Sequence, residues 1–190
     1  LGLVSGDLTV LDHLVELHTG SNAAQETEAA QETVPQPVVL TEYSYPTDFT
    51  VSAKAAALVE LNSNAIVYSY EIDKQLYPAS LTKIMTCMLA LEHGNLDDVV
   101  TVSATAFEGM STYGSTAGLL EGEQLSLREL LYCIMVSSAN EGCNVIAEHI
   151  AGSADAFVNL MNQKAAELGM SKTHFANTHG LHNNAQENKG

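Results

Sequence analysis

The chain has 190 residues, 46% of them hydrophobic, and a formal net charge of −16 at pH 7. This length is enough for one domain with a sizeable core, or for one domain and a tail. The negative charge argues against nucleic acid as a partner, because phosphates would be repelled, and no apolar run approaches the length of a membrane span.

The first 52 residues differ in composition from the rest of the chain. They contain acidic residues but no lysine or arginine. Gly20–Pro37 has too few large apolar side chains to offset the entropy of ordering, which favours a disordered linker. Leu1–Gly20 fits either the end of a signal peptide or a short amphipathic helix, and both alternatives stay open. We predict an acidic N-terminal segment over 1–52, with a linker at about 20–40, and a folded domain over 53–190.

The predicted domain begins with a β-hairpin. Two β-prone apolar runs, Ala55–Leu61 and Ala65–Tyr70, flank a short polar turn. Pro78 favours an extended lead-in to the next element. Ser80–Leu91 is apolar on nearly every side, which is typical of a buried helix, and Gly94 ends it.

A short strand and more helices follow. Val99–Ser103 is predicted as a strand, and the stretch 104–121, rich in Gly, Ser and Thr, as mostly loop. Capping residues and apolar stripes predict three further helices: from Ser126 to about Val136, from Ser138 to Ala151, and from Ser153 to Leu168. This order predicts an α+β fold in which a helical cluster packs on an antiparallel sheet.

The three cysteines lie inside apolar helical patterns. Cys87, Cys133 and Cys143 show no Cys-x-x-Cys spacing and no neighbouring histidine cluster. We therefore interpret them as small buried hydrophobic residues rather than disulfide partners or metal ligands.

Ser80 and Lys83 form the first candidate catalytic pair. Residues at i and i+3 share a helix face, so the two side chains are expected to meet. A serine needs a neighbouring base, and a lysine in a dry site can lose its charge and serve as one. The alternatives are a helix-capping role for Ser80 and a solvated charge for Lys83. The second alternative is weak, because Lys83 stands in a nearly all-apolar helix.

Ser138 and Asn140 form a second polar island between two apolar stretches. A helix–helix turn with a capping serine explains the island equally well from its residues alone. The functional interpretation is that Ser138 and Asn140 flank a turn and present both side chains to one cleft. There they would supply the orienting polar groups that a catalytic serine needs in addition to its base.

Three blocks, in the correct order, resemble the D-alanyl-D-alanine carboxypeptidases, which are low-molecular-weight penicillin-binding proteins. The nucleophile segment of that family resembles YPASLTKIMTCMLALE, its Ser-x-Asn segment resembles VSSANEGCNVIAEHIAG, and its His-Gly-Leu segment resembles HFANTHGLH. The similarity covers roughly Ala53–His182. It implies a partial penicillin-binding-protein/β-lactamase-like transpeptidase fold of the α+β class whose sheet lacks its later strands.

The resemblance also implies an activity and roles for four residues. The enzyme would remove the terminal D-alanine from peptidoglycan stem peptides through an acyl-enzyme on Ser80, and β-lactams would inhibit it. Lys83 would be the base, Ser138 would relay a proton to the leaving amine, and Asn140 would bind the substrate amide. No metal or cofactor is expected. The substrate lies outside the inner membrane, so export to the periplasm or cell surface is implied, and membrane association through segments outside these residues stays open.

The chain also departs from the family pattern. The third family motif, Lys-Thr-Gly, does not occur, and we interpret the similar His18-Thr19-Gly20 as chance. We therefore expect a C-terminally truncated family member whose activity is impaired. His179 and His182 are interpreted as parts of a structural turn rather than as metal ligands or catalytic groups.

Two other functions remain as alternatives. A β-lactamase usually has Ser-Asp-Asn where this chain has Ala139 between Ser138 and Asn140, and it also needs a deacylating glutamate segment that we do not find. A non-catalytic cell-wall binder or β-lactam sensor would keep the fold without turnover.

Overall fold

The computed structural model describes residues 38–39 (as backbone), 50–63, 65–110 and 114–181. These residues divide between two compact units that separate between Lys74 and Gln75. The predicted linker and the Leu1–Gly20 alternatives lie outside the described residues. The domain boundary at residue 53 stays a prediction.

The smaller unit contains a three-stranded sheet of β1 (Val38–Val39), β2 (Ala56–Glu60) and β3 (Ala65–Tyr70). The strand order is β1-β3-β2, in which β2 and β3 are antiparallel and β1 runs parallel to β3. The predicted hairpin is therefore confirmed. Its turn is fixed by the Glu60 carboxylate, which accepts hydrogen bonds from the backbone N–H groups of Asn62 and Ser63 at 3.1 and 2.8 Å.

The larger unit is mainly helical. Its helices and strands, in chain order, are a 3-10 turn at Ala79–Leu81, α1 (Thr82–His93), β4 (Val99–Thr101), a 3-10 turn at Thr105–Phe107, β5 (Gln124–Ser126), α2 (Leu127–Val136), α3 (Asn140–Ala151) and α4 (Ala154–Glu167). The α+β class is confirmed. β5 was not expected; it pairs antiparallel with β4. Within the described ranges, no helix combines the length and apolarity needed to cross a membrane.

Two apolar clusters fix α1 and α3 in the larger unit. One cluster joins both helices to α2 and to the two-stranded sheet of β4 and β5, and the other cluster joins them to α4. The fully buried side chains of the clusters include Leu89, Leu127, Leu131, Ile146, Phe157 and Met161. Because α1 and α3 contribute to both clusters, side chains at their N-terminal ends are held at a defined separation. Leu81 and Ile84 lie outside the clusters and are 67% and 57% exposed, so α1 is less completely buried than its sequence predicts.

The predicted helix caps are only partly right. Ser126 and Glu129 form the expected capping box, in which each side chain accepts from the other's backbone N–H. Ser153 caps α4 as expected. The predicted cap at Ser138 is wrong, because the N-cap residue of α3 is Ala139 and no side chain caps this helix. The hydroxyl of Ser138 is used elsewhere, as described below.

The cysteine prediction is confirmed for two of the three residues. Cys87 and Cys143 are buried, whereas Cys133 is half-buried, and all three are free thiols.

Candidate active site

Ser80 and Lys83 meet as their spacing predicts. Ser80 lies in the 3-10 turn that precedes α1 and is exposed, whereas Lys83 lies in the first turn of α1 and is only 2% exposed. Lys83 Nζ is 3.1 Å from Ser80 Oγ. The structure therefore places an exposed serine hydroxyl next to a buried amine.

Lys83 is also bound by two groups from distant parts of the chain. Its Nζ donates to Asn140 Oδ1 at 2.8 Å and to the main-chain carbonyl of His179 at 3.1 Å. With Ser80 Oγ these make three acceptors, which match the three N–H bonds of an ammonium group. The buried charge is thus fully hydrogen-bonded, which offsets the cost of its burial.

Ser138 also contacts Ser80. It is half-buried in the turn between α2 and α3, and its Oγ donates to Ser80 Oγ at 3.0 Å. The Ser80 hydroxyl is therefore within hydrogen-bonding distance of both the Lys83 amine and the Ser138 hydroxyl. The structure brings all four predicted site residues together, and the chemical role of each stays a prediction.

The backbone is strained at Ser138 and at Ala79, the residue before Ser80. Ala79 and Ser138 have φ angles of +51° and +55°, a region that residues with a Cβ rarely occupy. Each such residue costs about 1–3 kcal/mol and persists only where the surroundings impose it. Here the surroundings include hydrogen bonds from the Ala139 and Asn140 N–H groups to Cys133 and Ser115 carbonyls.

A turn over residues 177–181 closes the site behind Lys83. The Asn177 side chain accepts from the N–H groups of His179 and Gly180, at 3.2 and 2.7 Å, and donates to the Leu181 carbonyl. Gly180 has φ +79°, and a Cβ there would lie 1.8 Å from the Ala79 carbonyl oxygen. Only glycine at position 180 allows the two backbone segments to approach this closely.

The interpretation of His179 as part of a structural turn agrees with its contacts. Its Nδ1 accepts from the Leu181 N–H at 2.9 Å, and its carbonyl, not its ring, meets Lys83. His182 lies outside the described residues. Residue spacing does not predict that a main-chain carbonyl of this turn contacts Lys83, because the two are separated by 96 positions.

Burial dominates the electrostatics of the site. It lowers the pKa of Lys83, and the neighbouring Cys143 and Glu141 oppose this effect when they are anionic. Burial also raises the pKa of the Cys143 thiol to about 12, so Cys143 is neutral near pH 7. Burial, together with the charge of Lys83, lowers the pKa of His179 to about 4.

The Glu141 side chain, on α3, is hydrogen-bonded to the loop that precedes β5. Its carboxylate accepts from Thr116 Oγ1 at 2.6 Å and from the Ala117 N–H at 2.8 Å. No group of three or more His, Cys, Asp and Glu side chains that could hold a metal ion occurs among the described residues.

A protein-family model described as D-alanyl-D-alanine carboxypeptidase matches residues 41–189. The chain belongs to the D-alanyl-D-alanine carboxypeptidase family. The match covers all four site residues and the turn over 177–181, and it agrees with the resemblance found in the sequence.

Individual members of the D-alanyl-D-alanine carboxypeptidase family match over the same region. D-alanyl-D-alanine carboxypeptidase DacF of Bacillus subtilis (strain 168) is 39% identical over 135 residues, which cover 68% of this chain and 34% of the relative. D-alanyl-D-alanine carboxypeptidase DacC of Escherichia coli (strain K12) is 35% identical over 140 residues, which cover 70% and 35%. The chain thus spans about a third of the length of the curated relatives it matches.

The fold is shared with solved penicillin-binding proteins. The crystal structure of penicillin binding protein 6B from Escherichia coli superposes with a TM-score of 0.69 at 30% identity, covering 80% of this chain and 50% of that one. The predicted partial penicillin-binding-protein-like fold is therefore confirmed.

Proposed function

We propose that this chain belongs to a serine-type D-Ala-D-Ala carboxypeptidase that removes the terminal D-alanine from peptidoglycan stem peptides. The observation that carries the proposal is the Ser80 hydroxyl, which lies 3.1 Å from Lys83 Nζ and 3.0 Å from Ser138 Oγ in a member of this family. A serine within hydrogen-bonding distance of a buried amine and of a second hydroxyl has both a candidate proton acceptor and a candidate proton relay.

The first step would be acylation of Ser80. Lys83 in its neutral form takes the proton from Ser80 Oγ, and the oxygen attacks the carbonyl of the penultimate D-alanine. The lowered pKa of Lys83 makes the neutral amine easier to reach than for an exposed lysine. The backbone N–H of Ser80, just before α1, is one donor for the oxyanion that forms.

The second step would release D-alanine. Ser138 Oγ, which lies at 3.0 Å from Ser80 Oγ, gives its proton to the leaving amine as the C–N bond breaks, and the proton that Lys83 took from Ser80 returns to Ser138. The acyl-enzyme remains, and Lys83 is again neutral. Water then hydrolyses the ester and regenerates Ser80. Asn140 Oδ1 faces Lys83, so its amide Nδ2 is the atom that would bind the substrate's carbonyl.

The same chemistry predicts the partners and the location. The amide of a β-lactam would acylate Ser80, and the resulting acyl-enzyme would be hydrolysed slowly. Because peptidoglycan lies outside the cytoplasm, the enzyme would have to be exported. The proposal needs no cofactor and no nucleic acid. The names of the relatives, which are D-alanyl-D-alanine carboxypeptidases, support the substrate, and the similarity to a solved penicillin binding protein supports β-lactam binding.

The test begins with labelling that does not depend on rate. The chain is incubated to completion with a fluorescent penicillin, and the modified peptide is identified by mass spectrometry, with Ser80→Ala as control. Label on Ser80 that is absent from the variant supports the acylating role. Label elsewhere, or none after prolonged incubation, contradicts it.

Turnover then separates the carboxypeptidase from its alternatives. Release of D-alanine from a Lys-D-Ala-D-Ala peptide supports the proposal. Fast nitrocefin hydrolysis would instead identify a β-lactamase, and acylation without any D-alanine release would identify a β-lactam sensor.

A further inference from the structure

We propose that Thr86, Thr178 and Asn144 form a positioning network that holds the His179 carbonyl against Lys83 and thereby aims the lysine's lone pair at Ser80. The inference rests on the function proposed above. It assigns a role to three residues outside the predicted site.

The first half of the network lies along α1. Lys83 and Thr86 are one helical turn apart and contact successive carbonyls of the turn over 177–181. Lys83 Nζ is 3.1 Å from the His179 oxygen, and Thr86 Oγ1 donates to the Thr178 oxygen at 2.6 Å. Thr86 is fully buried. Because the two carbonyls are adjacent, the bond to Thr86 restricts rotation of the peptide unit that faces Lys83.

The second half of the network comes from α3. Thr178 Oγ1 donates to Asn144 Oδ1 at 2.7 Å, and Asn144 Nδ2 donates to the Ala106 carbonyl at 3.1 Å. The bond to Ala106 fixes the orientation of the amide, so that its oxygen faces Thr178. Asn144 lies one turn after Asn140, which means that one face of α3 binds Lys83 both directly and through the turn.

The proton count at Lys83 explains why the carbonyl matters. An ammonium group offers three N–H bonds to the three acceptors around it, but a neutral amine has two N–H bonds and one lone pair. If Asn140 Oδ1 and the His179 carbonyl keep the two N–H bonds, the lone pair faces Ser80 Oγ. If the carbonyl shifts, the amine rotates and part of the neutral population points its lone pair away from Ser80.

The network also has a consequence that titration can report. The titratable groups facing Lys83 are Glu141 and Cys143 on α3 and His179 on the turn. Substituting threonine by valine or serine changes none of these charges. A carbonyl stabilises an ammonium more than an amine, so loosening it lowers the titration midpoint of Lys83.

The experiment compares matched pairs of substitutions. Thr86→Val and Thr178→Val remove one hydroxyl each at nearly constant volume, whereas Thr86→Ser and Thr178→Ser retain it. Lys83 is followed by NMR titration of its 13C-labelled ε-carbon, assigned from the signal missing in Lys83→Met. The acylation rate with a fluorescent penicillin is measured over the same pH range.

We expect the valine variants to lower the Lys83 midpoint and to slow acylation about tenfold per folded molecule, as misalignment of a reacting group does. The serine variants should stay within about twofold of the wild type. Thr101→Val is the control, because it removes a threonine hydroxyl that accepts a hydrogen bond from the Gln124 side chain on β5, away from the network. It should leave both readouts unchanged.

Three results would overturn the inference: valine variants with the wild-type midpoint and rate, serine variants as impaired as the valine variants, or a Thr101→Val variant that shifts the midpoint equally. Should Thr178→Val not fold, Thr178→Ala makes the same test with a smaller side chain. Failure of the wild type to acylate would contradict the proposed function, and the NMR titration would still decide the network.

Discussion

Lys83 combines near-complete burial with three hydrogen bonds to its amine. A surface lysine would bind none of these groups for long, because its side chain would exchange them for water. Burial in α1 fixes the amine and lowers its pKa, and both effects favour a base rather than a structural cation.

Lys83→Met should therefore abolish most of the acylation. Methionine replaces the amine with an apolar side chain of similar length, and loss of a general base costs about 10²–10⁴-fold in rate. The measurement is the rate of fluorescent penicillin labelling of Ser80. Lys164→Met removes an amine that is paired with Glu92 at the surface of α4 and should retain the wild-type rate. Labelling of Lys83→Met at the wild-type rate would exclude Lys83 as the base.

His179 predicts a loss of stability in mild acid. Its pKa is about 4 in the folded state and 6.5 when exposed, so between these values the unfolded chain binds more protons. The neutral imidazole is therefore compatible with folding above pH 6.5, and the free energy of unfolding falls as the pH drops towards 4. The loss attributable to His179 is about 2 kcal/mol at pH 5.

Urea denaturation at pH 7 and pH 5 measures this loss. His179→Asn keeps an acceptor for the Leu181 N–H but does not titrate, so its stability should fall less between the two pH values. His174→Asn, at an exposed position, serves as the control. An equal acid loss in wild type and His179→Asn would show that the histidine is not responsible.

Among the structural elements, the turn over 177–181 acts as a brace, which means that it restrains the backbone of the 3-10 turn at Ala79–Leu81. Its Gly180 lies directly against the Ala79 carbonyl, and its His179 carbonyl lies against Lys83. The brace joins the start of α1 to a segment beyond α4, and this explains how the strained φ of Ala79 is maintained.

Gly180→Ala should destabilise the chain by more than about 2 kcal/mol, because both a backbone clash and a positive φ penalise the added methyl. Gly169 provides the matched control: its φ is +73°, but a Cβ there would meet nothing within 4 Å. Gly169→Ala should cost only about 1 kcal/mol. Thermal and urea unfolding of both variants test the difference, and equal losses would contradict the brace.

The two ends of α2 separate stability from chemistry. Ser126 caps its start, whereas Ser138 follows its end and donates to Ser80 instead of capping α3. Ser126→Ala should lower the free energy of unfolding by about 1 kcal/mol and leave acylation unchanged. Ser138→Ala should slow D-alanine release without a comparable loss of stability. The reverse pattern would mean that Ser138 is structural.

At the scale of the whole molecule, the chain spans about a third of its curated relatives and contains no Lys-Thr-Gly. The motif that the family resemblance assigns to the substrate carboxylate is therefore not recognised in these residues, although the proposed nucleophile and the proposed base are. This separates whether Ser80 is acylated from how quickly it is acylated.

We predict that the 190-residue chain acylates more slowly than the full-length Bacillus subtilis relative under identical conditions. The reason is that Ser80 and Lys83 supply the chemistry, while orientation of the substrate needs further contacts. Parallel time courses with a fluorescent penicillin measure the ratio. A rate equal to that of the relative would refute the predicted impairment.

Features that depend on local spacing could be predicted from the amino-acid sequence. The hairpin, the capping box at Ser126, the cap at Ser153 and the pairing of Ser80 with Lys83 are all set within a few residues, and all are observed. The serine at 138 shows the limit of such patterns. It matches a capping spacing, but φ +55° turns its hydroxyl away from α3 and towards Ser80.

The hydrogen bonds that hold Lys83 depend on the fold and could not be predicted from local sequence. Its contacts with Asn140 and with the His179 carbonyl join residues 57 and 96 positions apart, and no periodicity encodes such distances. A main-chain carbonyl has no side-chain identity, so its presence behind Lys83 cannot be read from residue types. The sequence supplied the reacting groups, and the packing of α1, α3 and the turn over 177–181 supplied their orientation.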